Sequence, residues 1–384
     1  MHRHFSIFNF NMRLNQSIPA VICLFFFLDI GGRFLPIRLF TFRAWEIAQR
    51  YPHPDGPFAP NVHCVDVNTC GDLANVSNRP ALCQSHDETF STDDYGFRTH
   101  PGAVISAPVE ALFIGDSFAG GARIRDDQTL PAQFQALTGW KTYNGACIKN
   151  DLTHLIELTQ RLHMDKGIIL YEFLTRQKVP SRQDCQLKDW RIAGVSRRDV
   201  AHFKHLIRNR WMGFWKVTPL EILAQHAYKK IQNDRFLPNP YATLAVETRL
   251  RNGSTMLQLP QDIENFQNMS QNTDPSGFVA LYRELAKRHL TLWVLLVPDK
   301  YTVYQPLLES AVTTGSRENL YLNSIEQNLS QSGVPVVNLT VPLRRQAAYE
   351  FSRGRYNFAL DDTHWNEEGI HRAAECVAKA MTKP

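Results

Sequence analysis

From residue 109 onward, short apolar runs alternate with stretches whose apolar positions recur every three or four residues. Val109-Glu110-Ala111-Leu112-Phe113-Ile114 reads as a first buried strand, Lys141–Asn144 as a short second and Gly167–Phe173 as a third. Leu290–Val297 and Val334–Leu339 read as the fourth and fifth. Between them, Leu130–Leu137, the positions Leu152, Leu155, Ile156 and Leu162, Phe278–His289 and Glu318–Leu329 carry helical spacing. Asp127 stands where a cap for the first of these helices is expected. A last helix begins near Glu367, with Ile370, Ala373, Ala374, Val377 and Met381 on one face. Strand–helix repetition of this kind predicts an α/β fold: a mainly parallel five-stranded sheet with helices on both faces.

Outside that repeat the pattern changes. Residues 1–16 carry Arg3 and Arg13 and no acid, and Ile18 to Leu28 is almost purely apolar. A basic start followed by an 11-residue apolar run fits an export signal. Asp29-Ile30-Gly31-Gly32 follows in place of a small-residue cleavage site, so residues 1–45 are expected to form an uncleaved membrane anchor with the remainder extracytoplasmic. Residues 46–108, rich in Pro, Asn, Asp and Cys, read as an extended lead-in. Residues 109–384 form the main domain, interrupted at about 178–275 by an expected helical insertion. Arg251-Asn252-Gly253-Ser254 marks a hairpin within it.

Composition narrows the class. An apolar content of 43% over 384 residues permits a sizeable core. The net charge of +5 is concentrated: residues 181–241 hold 12 Lys/Arg against 5 Asp/Glu, together with Trp190, Trp211 and Trp215. This block reads either as a cap that touches an anionic glycan or lipid head groups, or as a solvated helical subdomain. No nucleic-acid-reading module is visible, and no nucleic-acid partner is expected. Of seven cysteines, Cys23 lies in the apolar run. At least one bridge is expected among Cys64, Cys70 and Cys83. With neither a CxxC pair nor a His-Glu-x-x-His run, no metal site is expected.

Polar groups follow each predicted strand: Ser117 after the first, Asn144 and Gly145 after the second, Glu172 and Arg176 at the third, Asp299-Lys300-Tyr301 after the fourth, and Asp361, Asp362 and His364 beyond the fifth. A parallel sheet brings such groups to one edge, where open α/β sheets keep their sites. A serine hydroxyl needs a neighbouring base to become a nucleophile. His364, with carboxylates two and three residues upstream, is the best candidate, and Asp362 or Asp361 would orient it. The backbone N–H groups of Ser117 and Gly145 are the candidate oxyanion donors, with the Asn144 side chain either a third donor or a turn former. Arg176 either stabilises negative charge or pairs with Glu172. Arg176, Lys300 and Trp365 are the candidate substrate contacts.

Gly115-Asp116-Ser117-Phe118 together with the terminal Asp-x-His resembles the SGNH/GDSL hydrolase superfamily. Asp362-Thr363-His364-Trp365-Asn366 with Gly369 resembles, more narrowly, the SGNH-like alginate O-acetyltransferase family. Tyr171-Glu172-Phe173 with Arg176 is similar to that family's Trp-Glu-Phe…Arg segment, and Val297-Pro298-Asp299-Lys300 through Tyr304 to its Val-Pro…Lys…Val-Tyr segment. The Tyr95-Gly96-Phe97-Arg98 run looks like that of related exported proteins of polysaccharide acetylation systems. The resemblance covers about 95–175 and 290–384.

It implies a three-layer, flavodoxin-like SGNH domain with Ser117 as nucleophile, His364 as base and Asp362 as its orienter, without a cofactor. It implies acetyl transfer to, or removal from, hydroxyls of an exported polysaccharide. A membrane-bound partner would deliver the acetyl group, since no acyl-carrier motif is present. The Asp-x-His segment follows the serine here, whereas in the alginate proteins it precedes it. The Gly-x-Asn-Asp segment of ordinary SGNH hydrolases is absent.

Overall fold

A computed structural model describes residues 7–35, 56–99, 108–147, 152–182, 219–235, 237–267, 273–310 and 320–381. Its strands, in chain order, are β1 (His63–Thr69), β2 (His86–Thr92), β3 (Arg98–Thr99), β4 (Ala111–Ile114), β5 (Thr142–Asn144), β6 (Gly167–Leu174), β7 (Val246–Arg249), β8 (Thr255–Gln258), β9 (Leu290–Val297) and β10 (Val336–Asn338). Five of them form one sheet, ordered β10-β9-β6-β4-β5, in which every pairing is parallel.

The sheet side chains alternate between two cores, as a period of two requires. Leu112, Ile114, Ile169, Tyr171, Leu292, Val294 and Leu296 face one core, which is completed by the helices Leu152–Arg161, Ser276–Ala286 and Leu320–Gln331. Ala111, Phe113, Leu170, Leu174, Leu295 and Val297 face the other, completed by the helices Leu130–Thr138, Thr340–Phe351 and Glu367–Met381. The result is the three-layer α/β arrangement that the sequence predicts. Both faces of β4, β6 and β9 are covered, which explains why these strands read as nearly continuous apolar runs. Burying residues such as Phe113, Leu170 and Leu296 contributes roughly 1.5–3 kcal/mol apiece.

The first strand after the lead-in, β4, lies between β5, which follows it, and β6, which comes later. This is the 2-1-3-4-5 order of flavodoxin-like sheets, and the chain reverses direction across the sheet between β4 and β6. The carboxyl ends of those two strands therefore mark the switch point at which open α/β sheets place their sites, and the turn after β4 carries Ser117.

Several local expectations are revised. Asp127 does not cap the helix Leu130–Thr138. It lies in a 3-10 turn, Asp126–Gln128, and Thr129 occupies the cap position. The lead-in is not simply extended. Its residues 63–99 form a three-stranded antiparallel sheet, β1-β2-β3, with short helical turns at Asp72–Val76 and Pro80–Leu82. Cys70 and Cys83 are joined, with Cα atoms 5.1 Å apart, which is the expected bridge within the 64/70/83 set. Within the insertion, the hairpin turns at Asn252-Gly253 between β7 and β8, and Gly253 adopts φ +85°, open to glycine at little cost. The core of the basic block, with Trp190, Trp211 and Trp215, lies outside the described residues.

The helix Ile7–Gly32 exposes Ile22, Phe25, Phe26 and Phe27. Its Asp29 pairs with Arg33 and accepts from the Leu220 N–H at 3.3 Å. Among the described residues no helix is long and apolar enough to cross a membrane.

Candidate active site

The turn after β4 is built around two demands. Gly115 sits at φ +154°, and a side chain there would run into the Glu172 carboxylate of the neighbouring strand β6. Only glycine meets both conditions. Asp116 then caps the short helix Ser117–Gly120, its Oδ1 accepting from the Phe118 N–H at 2.9 Å, while its own N–H donates to Glu172 Oε2 at 2.9 Å. These contacts fix where Ser117 stands.

From the other end of the chain, the segment before the helix Glu367–Met381 brings His364 to the same point. The Ser117 hydroxyl lies 2.8 Å from His364 Nε2, and His364 Nδ1 lies 2.7 Å from Asp362 Oδ1. An ionised carboxylate only accepts, so Nδ1 carries the proton and Nε2 presents a lone pair to the serine O–H. Asp362 Oδ1 also accepts the His364 backbone N–H at 3.0 Å, which ties ring and carboxylate into one local unit. Phe118 packs against the His364 ring, with centroids 5.0 Å apart.

Electrostatics follow from burial and pairing. Burial by itself pushes His364 down, but the adjacent Asp362 charge and hydrogen bond outweigh it and hold the imidazole above its ordinary value. Burial pushes Asp362 up. The His364 charge and hydrogen bond, the Arg123 guanidinium and the Asp72 N–H overcome this and hold the carboxyl far below the usual range. The two groups titrate as a pair.

The adjacent acids divide their tasks. Asp362 faces the imidazole, as the Asp-x-His spacing selects. Asp361 turns away: its Oδ2 accepts the Gly71 and Gln84 N–H groups, each at 2.7 Å, and its Oδ1 pairs with Arg123 at 3.2 Å. Asp361 is therefore an anchor of the loop, and the alternative in which it orients the histidine is set aside.

Other sequence-predicted site residues land differently. The Gly145 N–H is spent on Phe113 O at 2.7 Å, continuing the β4–β5 ladder, and is not free for an oxyanion. Asn144 makes a turn, its Oδ1 accepting from Ala146 N at 3.1 Å, and its amide nitrogen reaches Ala119 O at 3.4 Å. The Ser117 N–H, first in its helix, is the one member of the expected oxyanion set that no acceptor among the described residues engages.

Trp365 is fully buried, with its indole N–H directed at Phe118 O at 3.3 Å, so it packs beneath the site and does not meet substrate. Lys300 is fully buried as well. Its ammonium donates to the carbonyls of Ala359 and Asp362, and burial lowers its pKa to about 7. Both are removed from the substrate-contact set by burial. Arg176 does not pair with Glu172. Its guanidinium bonds Asp262 Oδ1 at 3.4 Å and Thr363 Oγ1 at 3.2 Å and lies over the Phe118 ring. It remains at the rim of the site, with its side chain 15% exposed.

Two residues that the pattern of the chain did not single out, Asp262 and Arg123, contribute, as does Arg98, to which that pattern assigned no role. Asp262, at the start of the helix Pro260–Gln267 in the insertion, is buried and holds Arg176. Arg123 spans both acids, 3.2 Å from Asp361 and 4.0 Å from Asp362. Arg98, in the Tyr-Gly-Phe-Arg run, pairs with Asp126 at 3.0 Å and donates to Gly120 O at 3.0 Å and Ile124 O at 2.7 Å, which pins the chain that follows Ser117. Asp72, Asp362 and His364 also bring ligand atoms within 4.8 Å of one another. Two of the three are already engaged with each other, which disfavours an ion there.

Residues 258–384 match the family model described as the SGNH hydrolase-like domain of the acetyltransferase AlgX, so the family resemblance read in the last third of the sequence is carried by a family match. None of the curated proteins matches the chain at a significant level. One solved structure aligns with 72% of this chain and 96% of its own, at 12% identity and a TM-score of 0.32. A carbohydrate acetylesterase family member from Sinorhizobium meliloti aligns with 71% of this chain and 97% of its own, at 8% identity and a TM-score of 0.27. Likenesses this distant carry no functional weight.

Proposed function

We propose that this chain is an SGNH-type O-acetyltransferase acting on hydroxyls of an exported polysaccharide, held at the outer side of the membrane by its N-terminal segment. The observation that carries the reading is the relay from the Ser117 hydroxyl through His364 to Asp362, placed at the switch point of the sheet. The AlgX-domain match over the stretch that supplies His364 and Asp362 supports the same reading.

In the first half-reaction, His364 Nε2 takes the Ser117 proton as Oγ attacks the acetyl carbonyl carbon. The negative charge formed on the carbonyl oxygen meets the Ser117 N–H. Asp362 keeps Nδ1 protonated and stabilises the imidazolium, which then gives its proton to the departing group. In the second half-reaction a sugar hydroxyl loses its proton to His364 and attacks the acetyl-Ser117 carbonyl; the imidazolium returns that proton to Ser117 Oγ as the acyl C–O bond breaks, which frees the serine and leaves the acetyl on the sugar. A membrane-bound protein supplies the acetyl donor. The basic start and the 11-residue apolar run Ile18–Leu28, with its exposed phenylalanines, support the anchor.

The test is acceptor competition. Purified protein receives an acetyl ester with and without oligosaccharide, and products are weighed by mass spectrometry. Acetylated sugar is the expected product. Free acetate alone, at every oligosaccharide concentration, would replace the transferase with an esterase that uses water. No fluorophosphonate adduct on Ser117 would remove both.

A further inference from the structure

The bridge Cys70–Cys83 brackets a short segment of the lead-in, and the backbone at both of its ends reaches the two acids that precede His364. Gly71 N–H donates to Asp361 Oδ2 at 2.7 Å, Asp72 N–H to Asp362 Oδ2 at 2.7 Å, and Gln84 N–H to Asp361 Oδ2 at 2.7 Å. Ala74 N–H adds a bond to Asp361 O at 3.0 Å. The donors to the carboxylates, Gly71, Asp72 and Gln84, lie within one or two positions of the half-cystines, so the bridge holds Gly71 and Gln84 close enough to share one carboxylate oxygen. The fit leaves no slack at Gly71, where a Cβ would stand 2.5 Å from Asp361 O and 2.6 Å from its Cγ. Inside the loop, Ser77 Oγ bonds Leu73 O, and Asn239 bonds the Ser77 and Asn78 carbonyls, which braces its far side.

We propose that residues 70–84 are a positioning element of the active site, and that the Cys70–Cys83 bridge sets the geometry of the Asp362–His364 pair, so that opening it slows the chemistry. The inference rests on the triad reading above. Asp362 is held by the imidazole and backbone N–H of His364, by Lys300 through its carbonyl, by Arg123 and by this loop. Arg123 leans on the same two carboxylates and on Gln84 O, so freeing the loop also loosens Arg123. Opening is ordinary thiol–disulfide exchange. A dithiol reductant gives two electrons and two protons, the Sγ–Sγ bond becomes two thiols, and the reductant becomes a disulfide. Displacements of about 1 Å in a catalytic relay cost on the order of a hundredfold in rate, so even a partial shift of Asp362 is measurable.

The experiment compares four samples of the full chain: oxidised, treated with a dithiol, the Cys70→Ser/Cys83→Ser double variant, and Gly71→Ala with the bridge intact. Reduction at Cys70 and Cys83 is confirmed by alkylation and mass spectrometry, and folding by thermal melting. The readouts are the rate of fluorophosphonate labelling of Ser117 and the kcat and KM for p-nitrophenyl acetate. Reduced protein, the double variant and Gly71→Ala are each expected to label at least about tenfold more slowly, with the loss in kcat and KM little changed. The double variant is expected to ignore the dithiol. Where the double variant melts below the assay temperature, Gly71→Ala alone decides. Unchanged labelling after verified reduction, unchanged labelling in folded Gly71→Ala, or a dithiol response in the double variant overturns the inference while leaving the triad standing. No labelling of the oxidised protein overturns the triad and the inference together.

Discussion

Ser117 and His364 are 247 positions apart in the chain and 2.8 Å apart at their reactive atoms. The fold closes that distance by placing the serine at the carboxyl end of β4 and the histidine just before the helix that packs beneath the same side of the sheet. Neither residue is reactive alone. Ser117→Ala and His364→Ala are each expected to abolish labelling by a fluorophosphonate and to lower turnover of an acetyl ester by on the order of 10⁶. Full retention of turnover in either folded variant would remove both residues from the chemistry.

Asp362 and Asp361 separate cleanly. Asp362→Asn offers His364 Nδ1 an amide that can turn its N–H toward the ring and so favour the wrong tautomer, and a loss on the order of 10⁴ in kcat is expected. Asp361→Asn keeps an acceptor for Gly71 and Gln84 but loses the charge facing Arg123. It is expected to lower the melting temperature and to cost far less in rate than Asp362→Asn. Steady-state kinetics on the pair checks this, and equal losses would contradict the division of labour.

The acid limb of the rate profile follows from the His364–Asp362 pair. His364 acts only when its Nε2 is unprotonated, and the imidazole pKa is held above 6.5. Activity is therefore expected to fall as pH drops through a value above about 6.5, the ordinary histidine value, as a property of the pair. The accompanying stability term has the opposite sense: a histidine with a raised folded pKa adds stability below its unfolded value and loses it as pH rises through the folded one. A kcat/KM profile whose acid limb lies below pH 6 would contradict the assigned pairing.

Glu172 lies fully buried under the Gly115 turn. Burial first, and then the neighbouring Asp116 charge, push its carboxyl well above the ordinary value, so the protonated form is favoured. Such a group contributes less stability as pH rises above its unfolded value near 4.5. Glu172→Gln keeps an oxygen for the Asp116 N–H and removes the titration. It is expected to be close to wild type below pH 4.5, where Glu172 is largely protonated in both states, and to gain relative to wild type as pH rises above that value. Glu172→Ala leaves the Asp116 N–H without its acceptor at a cost of about 1–3 kcal/mol and is expected to slow Ser117 labelling. Urea unfolding at two pH values together with labelling rates tests both variants.

Much of this was legible before any coordinates, for identifiable reasons. The strands of the central sheet are short apolar runs bounded by Gly, Asp and Pro, and their parallel order follows from the helices between them. Ser117 and His364 stood out because each sits where a strand or loop meets a helix with chemistry-bearing neighbours. What stayed hidden depends on contacts between distant parts of the chain. Gly145 read as an oxyanion donor because a glycine follows a strand, but the register Phe113↔Asn144 commits its N–H to the ladder. Lys300 follows the fourth predicted strand and Trp365 follows His364, so both read as substrate contacts, and only packing shows them buried. The lead-in read as a spacer because its apolar positions lack a period. Its role rests on bonds between residues 290 positions apart, at Gly71–Asp361 and Asp72–Asp362, which no local pattern encodes.

Lys300 supplies the sharpest stability test. Its buried ammonium is the donor for the carbonyls of Ala359 and Asp362, and burial brings its pKa down from 10.5 to about 7. Lys300→Met keeps the volume and leaves those two carbonyls without their donor, at about 1–3 kcal/mol apiece. A lysine with a depressed folded pKa binds fewer protons in the native state than in the unfolded chain between pH 7 and 10.5, so the wild type gains stability across that window as pH rises. The variant lacks the titrating group and lacks this gain, while the terms from His364 and Glu172 are common to both proteins. The stability gap between wild type and Lys300→Met is therefore expected to widen from pH 7 to pH 10, at up to about 1.4 kcal/mol per pH unit. Urea denaturation of both proteins at several pH values measures the gap directly, and a gap that stays constant would mean that Lys300 keeps its proton in the folded state throughout.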